Sequence, residues 1–240
     1  MLKSNNLYLG DCLDLLAKIE DQTIDLVFLD PPYNLQLNKV LTRPNHSVVN
    51  GVTQDWDKFD NYASYDEFTL SYLRECKRVL KPDGGLWIIG SYHNIFRIGK
   101  ILQDLNFWIL NDVIWAKSNP LPNFRATRLT NAHETLIWCS EKPKSKYQFN
   151  YHTLKVANED KQERSIWNFP ICSGKERIKN KTNQTAHPTQ KPLALMKKII
   201  LQSSIQGDLI LEPFAGTASF CAEGKYLGRN ALDLSLIHIS

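Results

Sequence analysis

The chain has 240 residues, of which 42% are hydrophobic, so it can bury the core of one α/β domain with a modest insertion, but hardly two compact domains. Its five cysteines form no Cys-x-x-Cys pair, and the sequence has neither a signal-peptide core nor an apolar run of roughly 18 residues, which argues against zinc sites, disulfide scaffolds and membrane spans and predicts a cytoplasmic protein. The net charge of +4 is too small to indicate a partner, so only its distribution along the chain is informative.

The amino-terminal part is predicted to form a strand, a helix and a buried strand. Residues 7–9 are an apolar strand, and Asp11 stands where a helix cap is expected before apolar positions at helical spacing. Residues 24–29 form an apolar run typical of a parallel strand covered on both faces, and this run ends in Asp30-Pro31-Pro32-Tyr33. The prolines stiffen the loop, and the carboxyl ends of such strands bind ligands, although an ordinary turn is the alternative.

The middle of the chain alternates helix and strand patterns after a long polar loop over residues 35–61, which we interpret as a lid or a disordered segment. Apolar positions predict a helix from Tyr65 that ends at residues 82–85, before a buried strand over residues 86–90. A helix over 93–105 and strands over 107–115 and 135–139 follow. This alternation is typical of a doubly wound α/β sheet.

Residues 141–181 carry the basic excess of the chain. They contain ten Lys and Arg against five Asp and Glu, a net charge of +5, which leaves −1 for the rest. A solvated face is the ordinary explanation of such a run. Five aromatic residues lie among these cations, however, and that mixture favours a nucleic-acid surface. They are Tyr147, Phe149, Tyr151, Trp167 and Phe169.

The carboxyl-terminal part contains two further motifs. His187-Pro188-Thr189-Gln190-Lys191-Pro192 precedes a predicted helix, and Pro192 is well placed for its first turn. The predicted strand 208–211 runs into Glu212-Pro213-Phe214-Ala215-Gly216-Thr217 and another helix. Gly216 lets the backbone approach a ligand, and the N–H groups of a helix start can bind a carboxylate.

These motifs together resemble the S-adenosylmethionine-dependent DNA amino-methyltransferases, which methylate adenine N6 or cytosine N4. Over residues 7–233 the order of the motifs looks like the β-group found in restriction-modification systems. The resemblance implies a doubly wound, mostly parallel, seven-stranded Rossmann-like sheet with a late antiparallel hairpin and a circularly permuted motif order. It divides the chain into a catalytic half (1–140), a target-recognition insertion (141–181) and a cofactor-binding half (182–240) of one domain.

The resemblance also implies a role for each matching residue. The catalytic residues are Asp30, Pro31, Pro32 and Tyr33. Binding of S-adenosylmethionine, with no metal, falls to Asp11, Cys12, Asp30, His187, Pro188, Thr189, Lys191, Glu212, Pro213, Phe214, Ala215, Gly216, Thr217 and Asp233. Contact with double-stranded DNA falls to Asn119, Pro122, Asn123, Phe124, Arg125 and Arg128 in the hairpin loop, and to Lys175, Arg177, Lys179 and Lys181 in the basic segment.

Three features depart from the family pattern. Ala218 stands where a second glycine is expected, Asp233 comes about two residues too early for the acid that holds the ribose, and the tail 234–240 lacks the helix that usually follows. Aspartate at the first position of the catalytic motif favours adenine, since cytosine-N4 enzymes more often have serine there. The alternatives are a cytosine-N4 enzyme and a catalytically idle DNA-binding protein. A homodimer and a cognate restriction endonuclease are further expected partners.

Overall fold

A computed structural model describes residues 2–35, 41–42, 48–49, 57–123, 126–180, 183 and 189–236. The helices are α1 (Cys12–Leu16), α2 (Tyr62–Val79), α3 (Ile95–Asp104), α4 (Tyr151–Ala157), α5 (Leu193–Ser203) and α6 (Ser219–Tyr226). The strands are β1 (Asn6–Leu9), β2 (Ile24–Leu29), β3 (Leu41–Thr42), β4 (Val48–Val49), β5 (Leu80–Gly90), β6 (Trp108–Lys117), β7 (His133–Ser140), β8 (Ile166–Phe169), β9 (Leu209–Glu212) and β10 (Asn230–Ser235).

Eight strands form one sheet in the order β1-β10-β9-β2-β5-β7-β6-β8. Its pairs are parallel except for those of β7, which runs antiparallel to both β5 and β6. The chain proceeds from β2 to β5 in one direction and from β9 to β10 in the other. The strand order therefore reverses between β2 and β9, and open α/β sheets bind ligands at the carboxyl ends of such a pair.

Helices cover both faces of the sheet. On one face, α1, α2 and α3 pack with a core that includes Leu16, Leu73 and Ile98. On the other face, α4, α5 and α6 pack near a core that includes Trp87, Ile199 and Phe220. The predicted doubly wound fold with a late antiparallel hairpin is confirmed. Among the described residues, no helix has the length and hydropathy that crossing a membrane requires.

Several predicted boundaries were wrong. The helix predicted from Tyr65 begins earlier, at Tyr62, because Asn61 and Ser64 form a capping box. It ends at Val79 rather than at residues 82–85, and β5 starts directly at Leu80. The register between β2 and β5 shifts at this point. A Cβ at Gly84 would lie 2.7 Å from Cγ of Leu80, so the close approach of the backbone here requires glycine.

The segment 141–181 is more closely joined to the fold than an insertion would be. Its strand β8 pairs in parallel with β6 and adds an eighth strand to the predicted seven. Trp167 is 2% exposed and belongs to the core, so assigning this ring to a nucleic-acid surface was wrong. Tyr147 and Phe149 pack against Trp138 of β7 at centroid distances of 5.3 and 5.5 Å.

Candidate active site

A cavity of about 290 Å³ lies at the carboxyl ends of β2 and β9, where the strand order reverses. Asp30, Pro31, Pro32 and Tyr33 line it from the loop after β2, and the turn 212–217 lines it from the end of β9. Thr189, Gln190 and Lys191 complete it from the segment before α5. The three sequence motifs, which are far apart in the chain, therefore share one cavity.

The loop after β2 is held in place by buried polar groups. The carbonyl oxygen of Pro32 accepts a hydrogen bond from the Tyr65 hydroxyl at 3.0 Å and lies 3.5 Å from the Asn94 amide nitrogen. The Asn94 amide also donates to the Tyr65 hydroxyl, at 3.2 Å. Tyr65 is 1% exposed, and Asn94 is fully buried. A buried carbonyl satisfied in this way fixes the loop, since leaving it unpaired would be costly.

The far end of the same loop is fixed by Asp57. Its carboxylate accepts hydrogen bonds from the backbone N–H groups of Asn34, at 2.8 Å, and Leu35, at 3.1 Å. Asn34 has a left-handed backbone with φ of 53°. Asparagine tolerates this conformation better than most residues, and the two hydrogen bonds that the backbone donates to Asp57 stabilise it. Tyr33 is thus held between two anchored points.

A row of side chains with alternating charges, which we call the charge chain, lies beside the cavity. The Lys191 ammonium donates to both carboxylate oxygens of Asp30, at 2.9 and 2.8 Å. It also lies 3.9 Å from the Glu134 carboxylate, whose other oxygen accepts from Lys117 at 2.7 Å. The Tyr33 hydroxyl donates to Glu134 at 2.9 Å. The Lys191 ammonium is 5.1 Å from the centre of the Tyr33 ring, within the range of a cation–π interaction.

In the charge chain, burial and the neighbouring charges often shift the pKa of a group in opposite directions. Burial raises the pKa of Asp30 against the opposing effect of the Lys191 ammonium. Burial would also raise the pKa of Glu134, but Lys191 and Lys117 together lower it below the ordinary value. Burial works to lower the pKa of Lys191, but Asp30 and Glu134 reverse this and raise it. Burial and the neighbouring Glu134 raise the pKa of Tyr33 well above its usual range, so the phenol stays protonated.

The turn after β9 is shaped by Glu212 and Ala218. Glu212 is buried, and its carboxylate accepts from the backbone N–H of Cys221 at 3.4 Å, near the start of α6. Ala218 has a left-handed backbone with φ of 53°, a conformation that glycine adopts without a steric penalty. The family glycine at this position thus has a conformational reason, and the alanine here takes the same conformation under strain.

Most of the predicted cofactor-binding residues line the cavity. They are Cys12, Asp30, Thr189, Lys191, Glu212, Pro213, Phe214, Ala215, Gly216 and Thr217. His187 and Pro188 lie outside the described residues. Asp11 is used differently, because its carboxylate caps α1 by accepting from the N–H groups of Leu13 and Asp14. That is the ordinary capping role, and Asp11 is not among the described residues that line the cavity.

Asp233 is not at the end of its strand, contrary to the expectation for a ribose-binding acid. It lies inside β10, pairs in register with Glu212 and is 4% exposed. Its carboxylate, that of Glu212 and the Cys221 sulfur lie within 4.8 Å of one another. Ser235 and Leu236, at the end of the strand, line the cavity instead. The early position noted in the sequence thus places Asp233 two residues before the strand end.

The predicted DNA-binding residues lie in two groups. In the hairpin loop, which begins directly after Lys117, the Asn119 side chain accepts from the N–H of Ile171 at 2.7 Å. The Asn123 amide donates to the carbonyl of Arg128 at 3.1 Å, and Arg128 donates to the Tyr92 hydroxyl at 2.6 Å. Pro122, Lys175 and Lys179 are exposed, and Arg177 is half-buried. Phe124, Arg125 and Lys181, like most of the predicted lid, lie outside the described residues.

The residues of the site that were missed from the sequence include Lys117, Glu134, Tyr65 and Asn94. The first two carried a usable signal. Lys117 ends β6 and Glu134 lies near the start of β7, so the antiparallel pairing of a hairpin places both at the same end of the two strands. Tyr65 and Asn94 looked like ordinary residues at helix starts, and their contacts with Pro32 bridge separations of 33 and 62 residues. No local pattern indicates such contacts.

Known proteins resemble this chain over nearly its whole length. Residues 24–235 match the N6/N4 methyltransferase family, described as DNA methylase. The type II methyltransferase M.HinfI of Haemophilus influenzae is 51% identical over 230 residues, which cover 96% of this chain but only 64% of that protein. The chain thus spans less than two thirds of that relative. The type II methyltransferase M2.MboI of Moraxella bovis is 40% identical over 233 residues, 97% of this chain and 83% of that one.

Solved structures show the same architecture. The M1.HpyAVI–SAM complex superposes with a TM-score of 0.67 at 25% identity, covering 96% of this chain and 92% of that chain. The cytosine-N4-specific PvuII DNA methyltransferase superposes with a TM-score of 0.73, covering 99% of this chain and 83% of the other. At 17% identity the latter match is one of fold alone.

Proposed function

The chain belongs to the DNA methylase family that its sequence matches over residues 24–235, and from this membership we propose that it methylates DNA. The proposed reaction moves a methyl group from S-adenosylmethionine to the N6 amino group of an adenine flipped out of the duplex. One observation carries the proposal: the Asp-Pro-Pro-Tyr loop and the Glu-Pro-Phe-Ala-Gly turn line the same cavity. A methyl donor held by the turn would lie next to an acceptor held by the loop.

The residues of the cavity suit the proposed cofactor. Phe28, Phe59 and Phe214 offer apolar surface for an adenine ring. The carboxylate of Asp30 lies at the same cavity and favours a sulfonium cation. The residues proposed to hold S-adenosylmethionine are therefore Cys12, Thr189 and the turn 212–217. When bound, the cofactor supplies a methyl group on a positively charged sulfur, a good leaving group.

The chain's own task is to prepare the amino nitrogen. The lone pair of an aromatic amine is delocalised into the ring, and hydrogen bonds that accept both amino hydrogens direct it toward the methyl group. We assign one acceptor to the carboxylate of Asp30 and the other to the carbonyl of Pro31. The carboxylate also stabilises the positive charge that develops on nitrogen. The sulfur would leave as a neutral thioether, and the methylated nitrogen would then lose one proton to solvent. Tyr33, fixed by its bond to Glu134, would stack on the base and recover part of the cost of flipping it out.

The choice of adenine rests on Asp30. Cytosine N4 is the same kind of amino group, and the family includes enzymes of both kinds, so the cytosine-N4 reaction is the runner-up. A catalytically idle DNA-binding protein is the third candidate, motivated by the strained Ala218 and by Asp233, which lies away from the strand end. Identification of the methylated nucleoside separates the first two, and calorimetric titration with S-adenosylmethionine tests the third.

We further propose that double-stranded DNA contacts the hairpin loop after Lys117 and the exposed cations Lys175 and Lys179. The loop starts where Lys117 enters the charge chain, so it borders the cavity that would receive the base. The relatives M.HinfI and M2.MboI are named as type II methyltransferases. A role in restriction-modification, a cognate endonuclease and a homodimer are proposals that follow from this similarity.

The proposed function is tested by incubating the chain with labelled S-adenosylmethionine and duplex DNA free of methylated bases. We expect N6-methyladenine on mass spectrometry of the nucleosides, and sequencing of the modified DNA gives the recognition site. Asp30→Ala should lower the rate by about 100- to 1,000-fold, as loss of a transition-state contact does elsewhere. Asp112→Ala, a control at an exposed strand position, should not. Methylation by the Asp30→Ala variant at the parent rate would remove Asp30 from the mechanism.

A further inference from the structure

Lys191 belongs to a motif that suggests a cofactor contact, but its ammonium is bound to the catalytic loop. It donates to both oxygens of Asp30, at 2.9 and 2.8 Å, and Lys191 is only 8% exposed. Its third neighbour is Glu134, at 3.9 Å. Among the described residues, Lys191 is the cation paired with Asp30, and no second cation shares that carboxylate.

We propose that Lys191 is a positioning residue that keeps Asp30 ionised, and that Glu134 opposes it by placing a second negative charge beside Asp30. This inference deepens the proposed methyl transfer and rests on it. The two residues set the protonation state in which Asp30 can work. Neither touches the methyl group, so neither is a catalytic residue in this scheme.

The chemistry explains why ionisation matters. A carboxylate accepts hydrogen bonds from an amino group, whereas a protonated carboxyl group presents a donor that competes with the amino hydrogens. Only the carboxylate carries the charge that stabilises a developing ammonium. A largely buried acid without a cation would be protonated at a higher pH, because burial disfavours the charged form. Lys191 counteracts this effect.

Each element around Asp30 contributes a charged or titratable group. Tyr33 lies on the same loop, Lys191 precedes α5, and Glu134 comes from β7. Glu212, at the end of β9, also interacts with Asp30. Lys117 of β6 donates to Glu134 and so affects the charge beside Asp30. The net effect on Asp30 is therefore a balance between one cation and several acids.

The geometry also leaves room for a substrate. Lys191 contacts both oxygens of Asp30, and each carboxylate oxygen can accept more than one hydrogen bond. An entering amino group can bind one oxygen while the ammonium keeps the other. Glu134 lies 3.9 Å from the ammonium and can help to hold it in place. Lys191 thus stays bound throughout, which is what a positioning role requires.

The protonation of Asp30 can be measured without any reaction. The chain is labelled with ¹³C at its aspartate carboxyl carbons, the Asp30 signal is assigned with Asp30→Asn, and its chemical shift is followed against pH. In Lys191→Met the titration midpoint should rise by about one pH unit or more, and in Glu134→Gln it should fall. Lys198→Met removes a cation on α5 that is bound to Glu163, and it should change nothing. An unchanged midpoint in Lys191→Met, or in Lys191→Gln should the first variant not fold, overturns the inference.

Methylation assays provide the second readout. In the parent chain the rate should fall at low pH as Asp30 becomes protonated, and Lys191→Met should move this fall to higher pH, whereas Glu134→Gln should move it lower. A merely structural role would lower the rate equally at every pH. Lys191→Arg should restore much of the parent profile, since it keeps the charge. A parent chain that methylates no DNA refutes the proposed function, while the carboxyl titration still decides the ion pair.

Discussion

Replacing Asp233 with asparagine should stabilise the protein near neutral pH. Asp233 is 4% exposed, and within the described parts of the chain one of its carboxylate oxygens has no hydrogen-bond partner. Burial raises its pKa to about 6 from an ordinary 3.8. Glu212, on the adjacent strand, is also buried, and burial together with Asp233 raises its pKa well above the usual range. Two adjacent buried acids lower the stability of the folded protein, and replacing one of them with a neutral amide would remove this effect.

The sign of the pH dependence follows from the direction of the shift. The folded pKa of Asp233 lies above the unfolded one, so the folded state binds the proton more tightly. The stability associated with this proton is fully present below about pH 4 and is lost as pH rises through about 6. At about 1.4 kcal/mol per pKa unit, the loss above that range is roughly 3 kcal/mol. Asparagine cannot lose a proton, so it avoids this loss.

The assay is urea unfolding of the parent and of Asp233→Asn at pH 4 and pH 7.5. We expect the variant to be more stable by at most about 3 kcal/mol at pH 7.5, and the difference to shrink toward zero at pH 4. Asp112→Asn makes the same change at an exposed position and should alter the unfolding free energy by less than about 0.5 kcal/mol. A variant that is less stable than the parent at pH 7.5, or equally shifted at both pH values, would refute this reasoning.

Two further predictions concern the loop and the DNA surface. Tyr65→Phe removes the hydroxyl that donates to Pro32, so it should lower the unfolding free energy by about 1 kcal/mol and slow methyl transfer. Tyr62→Phe, at a half-exposed position on the same helix, should do neither. Equal stabilities of the parent and Tyr65→Phe would mean that this hydrogen bond does not anchor the loop. Changing Lys175 and Lys179 to glutamine should reduce the slope of log affinity for duplex DNA against log salt by roughly 0.9 per cation. Lys18→Gln, at an exposed position after α1, should leave the slope unchanged, and an unaltered slope in the double variant would show that the segment is only a solvated face.

The fold could be predicted where the residue pattern of a segment reflects how that segment is buried. Apart from Asp25, the run 24–29 is apolar because β2 is covered by helices on both faces, and the same is true of β5 after its irregular start. The alternation of such runs with helical patterns was enough to predict a doubly wound sheet. The motif residues at the carboxyl ends of β2 and β9 then met at the switch point, because the topology requires those ends to be neighbours.

The segment 141–181 shows where composition misleads. Its aromatic residues lie among cations in the sequence, but Trp167 belongs to β8 and points into the core, and Tyr147 packs against β7. A four-residue strand gives too short a pattern to separate a buried face from an exposed one. The exposed cations Lys175 and Lys179 are therefore the remaining reason to propose that this segment binds DNA, whereas several of the aromatic residues pack in the fold.

The charge chain could not be predicted, because which of its side chains pair with one another depends on distances in the folded structure that no sequence motif specifies. Lys191 is 161 residues from Asp30 and only two residues from Thr189 of its own motif, so the sequence favoured a cofactor contact. The sheet places the segment before α5 opposite the end of β2, and there the nearest oxygens belong to Asp30. A buried lysine and a buried acid at this separation lower each other's cost of burial, and this pairing then determines which protonation state the acid can hold. A residue first assigned to the cofactor thus becomes, through its position in the fold, a determinant of how the catalytic acid is charged.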